Sequence, residues 1–388
     1  MINRPILGIL LKSFFVAYFT ALVVGVFVVL GEKEALGSDF VSFLTGASII
    51  SAGKGREIYN IESQYAFQQA LIAPHHENSV LPYRNTPVMA LFFVPFLLFN
   101  FVIAYKIYVL LLIFILCIFI FYLTKHFGDV DAHTIWPYLA LTFYPLTISI
   151  FVGQTSLFLI VVFFMVYWNL RKKNDFVAGI LSGTLLIKLQ YILFLPFLFV
   201  LSRKRSDFLK GNAISLISTF FISLLLAGGH SLLSYPNFLL NTETVGFGSR
   251  PESMLTFFSF LRGTTFFGGL DLLSLLGINF FIYGVLFIVF YKYHKALSLA
   301  LAFSLIIPLV LPFTIHVVNH DLSMLLVPII IITTTIRSLC NEKLKLLVVV
   351  LLFLVPLLET IDIGNFVWAV MIVISCLLLV SKKVFKLV

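Results

Sequence analysis

Few side chains in this sequence could do chemistry, and most of them stand between long apolar runs. Asp39 follows Ser38, a candidate N-cap, at the head of a segment in which Phe40, Phe43, Leu44, Ala47 and Ile50 recur at helical spacing. An acid there is favoured by the helix dipole. A carboxylate held at a membrane surface can also act as a general base. Lys188 lies in Leu185-Leu186-Ile187-Lys188-Leu189-Gln190, flanked by apolar residues. Such a lysine either snorkels toward an interface or is kept as a functional charge, because intramembrane ionisable groups are costly. An anionic lipid head group is its natural partner. His316, Asn319, His320 and Asp321 cluster within a few residues. They form a polar turn, a helix start, or a set of donors to phosphate or sugar oxygens. Two imidazoles and one acid are only a fragment of a metal site, so no metal and no cofactor are assigned.

Other polar positions carry weaker signals. Arg84, in Tyr83-Arg84-Asn85-Thr86-Pro87, is either an interfacial anchor or a ligand for an anion. Gln154 follows Gly153 at a helix tip, where an amide commonly caps backbone. Arg250, Glu252, Ser253 and Arg262 stand in a polar stretch where solvated charges are ordinary.

The elements that position these residues follow from composition. Of 388 residues 61% are hydrophobic and 11% charged, against about 25% charged in an ordinary soluble domain. Runs such as Gly8–Leu30 and Phe101–Thr124 are long enough to cross a hydrocarbon core, where only helices satisfy the backbone. The expected fold is all-α and polytopic, with about twelve membrane segments. These are Gly8–Leu30, Phe101–Thr124, Ile135–Val152, Ser156–Leu170, Phe176–Ile187 and Tyr191–Leu201. They continue with Ala213–Ala227, Gly277–Tyr291, Ala296–Phe313, Leu322–Ile336, Leu344–Leu358 and Phe366–Val380. Pro87–Phe99 is apolar but short, and is expected to be re-entrant or interfacial. The first run is too long for a signal-peptide core and is read as a retained span. Cys117, Cys340 and Cys376 offer no disulfide or metal-type spacing.

The net charge of +9 is dispersed over short loops, which argues against nucleic-acid binding and for topology signals. With the N-terminus cytoplasmic, Lys33, Lys54, Arg56, Arg84, Lys106, Lys188, Arg250 and Arg262 fall outside. The other 18 of the 26 Lys and Arg fall inside. Twelve of the 17 acids also fall outside. Phe176–Ile187 and Tyr191–Leu201 are only about 16–18 Å long, so they form a short re-entrant hairpin whose tip, Lys188–Gln190, reaches toward the outer leaflet. Such hairpins survive only under protein or in a water-filled cavity. The chain is expected to be one membrane domain with two large outer loops, at residues 31–85 and 228–271. The first carries two amphipathic helices lying on the interface. No Gly-rich phosphate loop appears on the inner side.

Several short pieces run in a recognisable order. They are Ser38-Asp39-Phe40, Gly55-Arg56-Glu57-Ile58-Tyr59, Tyr83 to Pro87, Gly153-Gln154, Ala178-Gly179-Ile180-Leu181-Ser182-Gly183 leading to Lys188, and His320-Asp321. With them the chain resembles the GT-C superfamily of membrane glycosyltransferases, and within it glycosyltransferase family 87, the polyprenyl-phosphate-mannose-dependent mannosyltransferases. It departs from that pattern where Arg84-Asn85-Thr86-Pro87 replaces aromatic-Pro-Pro and where Asn319-His320 replaces a double histidine.

The resemblance implies a hexosyltransferase, most simply a mannosyltransferase, that moves a sugar from a polyprenyl-phosphate donor to a lipid or glycan hydroxyl. Transfer would invert the anomeric centre at the outer face of the plasma membrane. It implies Asp39 as catalytic base. It implies substrate-binding roles for Lys188, Arg84, His320, Gln154, Arg250, Gln190 and Tyr59. The partners would be the donor, the acceptor and membrane lipids, with no nucleic acid. A lipid-linked-sugar flippase, a ligase or polymerase acting on undecaprenyl-diphosphate glycans, and a non-catalytic scaffold are the competing readings. Transporters usually carry midplane charges and repeated halves, and neither is visible here.

Overall fold

Pro87, Pro95, Pro196, Pro308 and Pro312 punctuate runs of Leu, Ile, Val and Phe, and the resulting structure is a set of helices of very unequal length. The computed structural model describes residues 4–126, 141–242, 247, 254–264, 267, 269–335, 342–360 and 364–380. Every regular element among these residues is helical, with no strand. Among the described residues, three helices are long and apolar enough to cross a membrane: Phe101–Leu123, Arg205–Thr242 and Leu272–Ala296. At 1.5 Å per residue each reaches about 35 Å or more, against a core of about 30 Å. Only 11% of the most apolar window of Leu272–Ala296 is buried inside the protein. Large apolar side chains such as Phe281 and Ile288 therefore face outward, which in water would be an aggregation surface. Together with the shorter apolar helices these mark an integral membrane protein.

The shorter apolar segments fold as helices interrupted by 3-10 turns. Pro87–Phe93 continues into a 3-10 turn over Val94–Leu98 with Pro95 at its start. Leu189–Phe194 is 3-10 and passes into Leu195–Leu201 at Pro196. A proline removes a ladder donor, so the chain tightens or turns there. Of the expected Ile135–Val152 segment, residues 135–140 lie outside the described residues, and a helix runs over Tyr144–Phe151. The expected segment end at Ala227 coincides with a break at Gly228 (φ 74°, ψ 162°), beyond which a second helical stretch runs on to Thr242.

The chain falls into two compact units. The first comprises Met1–Thr142, Thr147–Leu157 and Ile217–Ser249. Its centre is the Phe40–Ser51 helix, in which Phe40 to Ala47 and Ile49 are all buried. Instead of lying on the interface, this helix is enclosed by aromatic side chains. Phe40 stacks on Tyr108 at 5.1 Å and Phe43 on Phe93 at 4.7 Å. A fully buried side chain of this size contributes about 1.5–3 kcal/mol. The Ile61–Ile72 helix is capped by Asn60, which accepts from the Ser63 N–H. Its buried Gln64 and Gln68 bind the backbone of residues 58, 79, 81 and 83, so both amides are satisfied inside the fold.

The second unit comprises Phe143–Leu146, Phe158–Leu216 and Arg250–Val388. In it the Asp175–Thr184 and Leu195–Leu201 helices form the expected hairpin. Asp175, buried, closes its base by accepting from the backbone N–H of Arg203 and Lys204 at 3.3 and 2.9 Å. The Asp175–Thr184 helix meets the start of the Arg205–Thr242 helix at backbone contact. A Cβ on Gly179 would lie 2.1 Å from the Phe208 carbonyl oxygen, and one on Gly211 2.1 Å from that of Phe176. Small residues at such crossings are how membrane helices pack without a hydrophobic driving force. Elsewhere in the unit Phe257, Phe258, Leu261, Leu275 and Phe313 form a core, with Trp368 edge-on to Phe257 at 4.9 Å.

This contact is testable. Gly179→Ala and Gly211→Ala should each destabilise by about 1–3 kcal/mol, because the helices must part. Gly284→Ala, where a Cβ meets nothing within 4 Å, should be neutral or slightly stabilising. Thermal unfolding of the purified variants in detergent distinguishes the two outcomes.

Candidate active site

Asp39 occupies the N-cap position of the Phe40–Ser51 helix, with φ −68° and ψ −14°. The carboxylate does not cap this helix start. Ser38, the expected cap, donates its hydroxyl back to Ala35 at 2.6 Å and ends the preceding turn. The Asp39 carboxylate instead accepts from the Gln154 amide, Nε2 to Oδ2, at 2.6 Å. The backbone locks the same approach, since the Asp39 N–H donates to the Val152 carbonyl at 2.8 Å.

Gly153 makes this arrangement possible. Its φ of +73° turns the chain after the Tyr144–Phe151 helix, and a Cβ there would sit 2.9 Å from the Cβ of Phe40. Only glycine accepts both constraints at once. Tyr105 and Tyr108 donate to the carbonyls of Phe151 and Gln154, the latter at 3.4 Å, and so hold the turn against the aromatic core around Phe40. Gln154 is buried and Asp39 half-buried. The expected backbone-capping amide is therefore a carboxylate partner.

Tyr59 and Arg84 meet elsewhere in the same unit. Tyr59 donates to the Asn85 carbonyl at 2.9 Å and stacks on Tyr235 at 4.5 Å, while Tyr235 donates to the Arg84 carbonyl at 2.7 Å. Burial pushes the Tyr59 hydroxyl well above its ordinary range, with Tyr235 and Tyr83 adding to it, so it stays a donor. The Arg84 guanidinium donates to the Thr242 hydroxyl and carbonyl and to the Phe247 carbonyl. A cation at a helix C-terminus is favoured by the dipole. Gly55 of the Gly-x-x-Ile-Tyr piece lies against backbone, its missing Cβ 1.9 Å from the Leu226 carbonyl oxygen. That contact accounts for glycine at the head of the piece.

In the second unit Lys188 stands between the 3-10 turns Leu185–Ile187 and Leu189–Phe194, with extended φ −107° and ψ 106°. Its ammonium lies 3.2 Å from Asp321 Oδ1, with the two side chains 10% and 0% exposed. Asp321 also accepts from the Tyr191 hydroxyl at 3.3 Å and from the Val318 N–H at 3.3 Å. His320 Nε2 lies 3.7 Å from its other oxygen. Burial alone would raise the Asp321 carboxyl. Lys188, then His320, His316 and the Val318 N–H, outweigh it and hold the group well below the usual carboxylate range. Gln190 belongs to the same turn and is half-buried. Asn319 hydrogen-bonds Glu359, whose carboxyl burial pushes upward against that bond.

Asp321 as the counter-ion of Lys188, and Tyr191 beside it, were not singled out from sequence. The signal was present: a lysine among leucines and isoleucines requires an acid, and Asp321 was the acid in the one polar turn near a histidine pair. Among the described residues no group of three or more His, Cys, Asp or Glu side chains is arranged to hold a metal. Arg250 lies outside the described residues.

The model of glycosyltransferase family 87 matches residues 83–312, more than half of the chain. The chain belongs to glycosyltransferase family 87. Membership of family 87 implies glycosyltransferase activity, with a sugar donor and an acceptor. The matched stretch holds Arg84, Gln154, Lys188 and Gln190, whereas Asp39, Tyr59, His320 and Asp321 fall outside it. No curated protein and no solved structure matches this family 87 chain.

Removing one partner of a buried pair strands the other. Asp321→Asn should therefore destabilise by about 3–5 kcal/mol, and Lys188→Met/Asp321→Leu by less than the two single changes summed. The Asp321 carboxyl ionises more readily when folded than its ordinary value of 3.8. Its contribution is then complete above that value and lost as pH falls through the folded value. The melting points of wild type and Asp321→Asn should converge on acidification; a constant gap would contradict the pairing.

Proposed function

We propose that the protein transfers a sugar, mannose or a related hexose or pentose, from a polyprenyl phosphate to an acceptor hydroxyl on a lipid or glycan. The observation that supports this reading best is the Asp39 carboxylate. It stands at a helix start without capping it and is oriented by the neutral Gln154 amide. In the proposed step Asp39 takes the acceptor proton as the acceptor oxygen attacks the anomeric carbon. The bond from that carbon to the phosphate oxygen breaks, and the configuration inverts. The leaving group departs as polyprenyl phosphate, gaining negative charge. Cations placed at that charge stabilise the transition state more than the ground state.

Lys188 and His320 are the proposed phosphate ligands, with Asp321 as the positioning residue that orients them. Arg84 and Tyr59 hold the loop between the first outer helices and the Thr242 helix end, and Gln190 supports the Lys188 turn. Arg250 remains a proposed phosphate ligand. The proposed orientation places both termini in the cytoplasm and this chemistry on the outer face of the plasma membrane, as the distribution of Lys and Arg supports.

Protein reconstituted in liposomes should transfer labelled sugar from polyprenyl-phosphate-mannose. Asp39→Asn should slow transfer about 10²–10⁴-fold while donor binding persists, and full activity in that variant would remove the base assignment. Lys188→Met/Asp321→Leu should weaken donor binding. Unchanged donor affinity in that double variant, with its fold retained, would leave the pair a purely structural role.

A further inference from the structure

The second unit also carries a cleft of about 650 Å³ between the end of the Leu195–Leu201 helix and the turn joining Leu272–Tyr293 to Leu299–Val310. It shares no residue with the Asp39 or Lys188 groups. Arg203, Arg205 and Lys295 line it, and no acid does. All three are exposed, and among the described residues none has a carboxylate within ion-pair distance. Asp175 is already occupied by the backbone N–H groups of Arg203 and Lys204. Arg205 is steadied over the Phe199 ring at 5.5 Å. His294 is fixed as wall, its Nδ1 donating to the Tyr291 carbonyl at 2.6 Å and its ring against Phe290. The opposite wall is apolar, formed by Val200, Leu201 and Leu297.

Three uncompensated cations around one cleft repel each other, and an anion that bridges them relieves the repulsion. Guanidinium forks match phosphate oxygens in geometry. The cleft lies at the ends of apolar helices, which is the depth of lipid head groups, and basic pockets between membrane helices suit anionic lipids. Its size falls within the range of small-ligand sites. Its apolar wall would receive methylenes rather than water.

We propose that this cleft binds the phosphate of an anionic phospholipid, with Arg203, Arg205 and Lys295 on the phosphate and the start of an acyl chain on Val200, Leu201 and Leu297. A soluble phosphate offers the same head chemistry without the apolar contact.

The test uses the full chain, delipidated in mild detergent and titrated with phosphatidylglycerol or phosphatidylcholine under native mass spectrometry. Phosphatidylglycerol should bind at least about tenfold more tightly. Arg203→Gln/Arg205→Gln/Lys295→Gln should abolish that preference. Arg171→Gln/Lys172→Gln/Lys173→Gln, which removes equal charge elsewhere, should keep it. Circular dichroism checks that both variants fold, as the exposure of all six side chains leads one to expect. Displacement of phosphatidylglycerol by inorganic phosphate in the millimolar range would support the phosphate site and assign it a soluble source. Equal loss of preference in both variants, or no preference and no phosphate effect in the wild type, would overturn the site.

Discussion

A charge placed in an apolar interior must be met by an opposite charge and by hydrogen bonds for its remaining valences, or it does not stay charged. In this chain that constraint acts on Lys188. The Leu185–Gln190 turn has no acid of its own, so the counter-charge must come from elsewhere in the second unit. It comes from Asp321, 133 residues later. A 3-10 helix over Asn319–Leu325 presents Asp321, and Tyr191 and the Val318 N–H fill its other lone pairs. The rest of the hairpin follows from keeping that meeting point fixed. Asp175 latches the base, and the Gly179 and Gly211 contacts press the hairpin onto its neighbour. An amphipathic alternative with the lysine snorkelling outward would leave Asp321 buried and unpaired.

The two carboxylates of interest differ in burial and in partners. Asp321 is fully buried and receives an ammonium, a phenol and a backbone N–H. Protonating it would strand Lys188, so it is suited to hold a cation and unsuited to take up and return a proton. Asp39 is half-buried and is oriented by a neutral amide. Proton uptake there leaves no buried charge behind. What each acid is suited to do therefore rests on its partners rather than on their shared residue type.

Much of this was legible in the chain and the rest was not, for a physical reason. Apolar length gave the helices, and isolation in an apolar run marked Lys188. Asp39 stood out at a helix start. Its bond to Gln154 did not, because 115 residues separate them and nothing local to either residue names the other. The Phe40–Ser51 helix was misjudged for a related reason. Phe40, Phe43 and Leu44 describe one apolar face, but Val41, Thr45 and Gly46 on the other side are small or apolar enough to be buried once aromatic rings arrive from residues 93 to 108. Periodicity records what a helix prefers, and burial records what surrounds it. The break at Gly228 was legible as an apolar run ending at a Gly-Gly pair, while the helical stretch after it to Thr242 was not.

Three of the short pieces that relate this chain to family 87 have a common physical content. Gly55, Gly153 and Gly179 each stand where backbone or a Cβ from another segment comes closer than any side chain permits. Such pieces are short because a close approach needs only one or two residues, and degenerate because their neighbours merely fill space. Those glycine pieces encode how helices come together, whereas Ser38-Asp39-Phe40 and His320-Asp321 hold the candidate acid and imidazole; Gly55, Asp39 and His320 all lie outside the matched stretch of residues 83–312. A scaffold of this kind can keep its glycine contacts while residues elsewhere change, so the departures at Arg84-Asn85-Thr86-Pro87 and Asn319-His320 are compatible with an unchanged fold. One of these loops is tied to Tyr59 and the Thr242 helix end and the other to the Lys188–Asp321 pair.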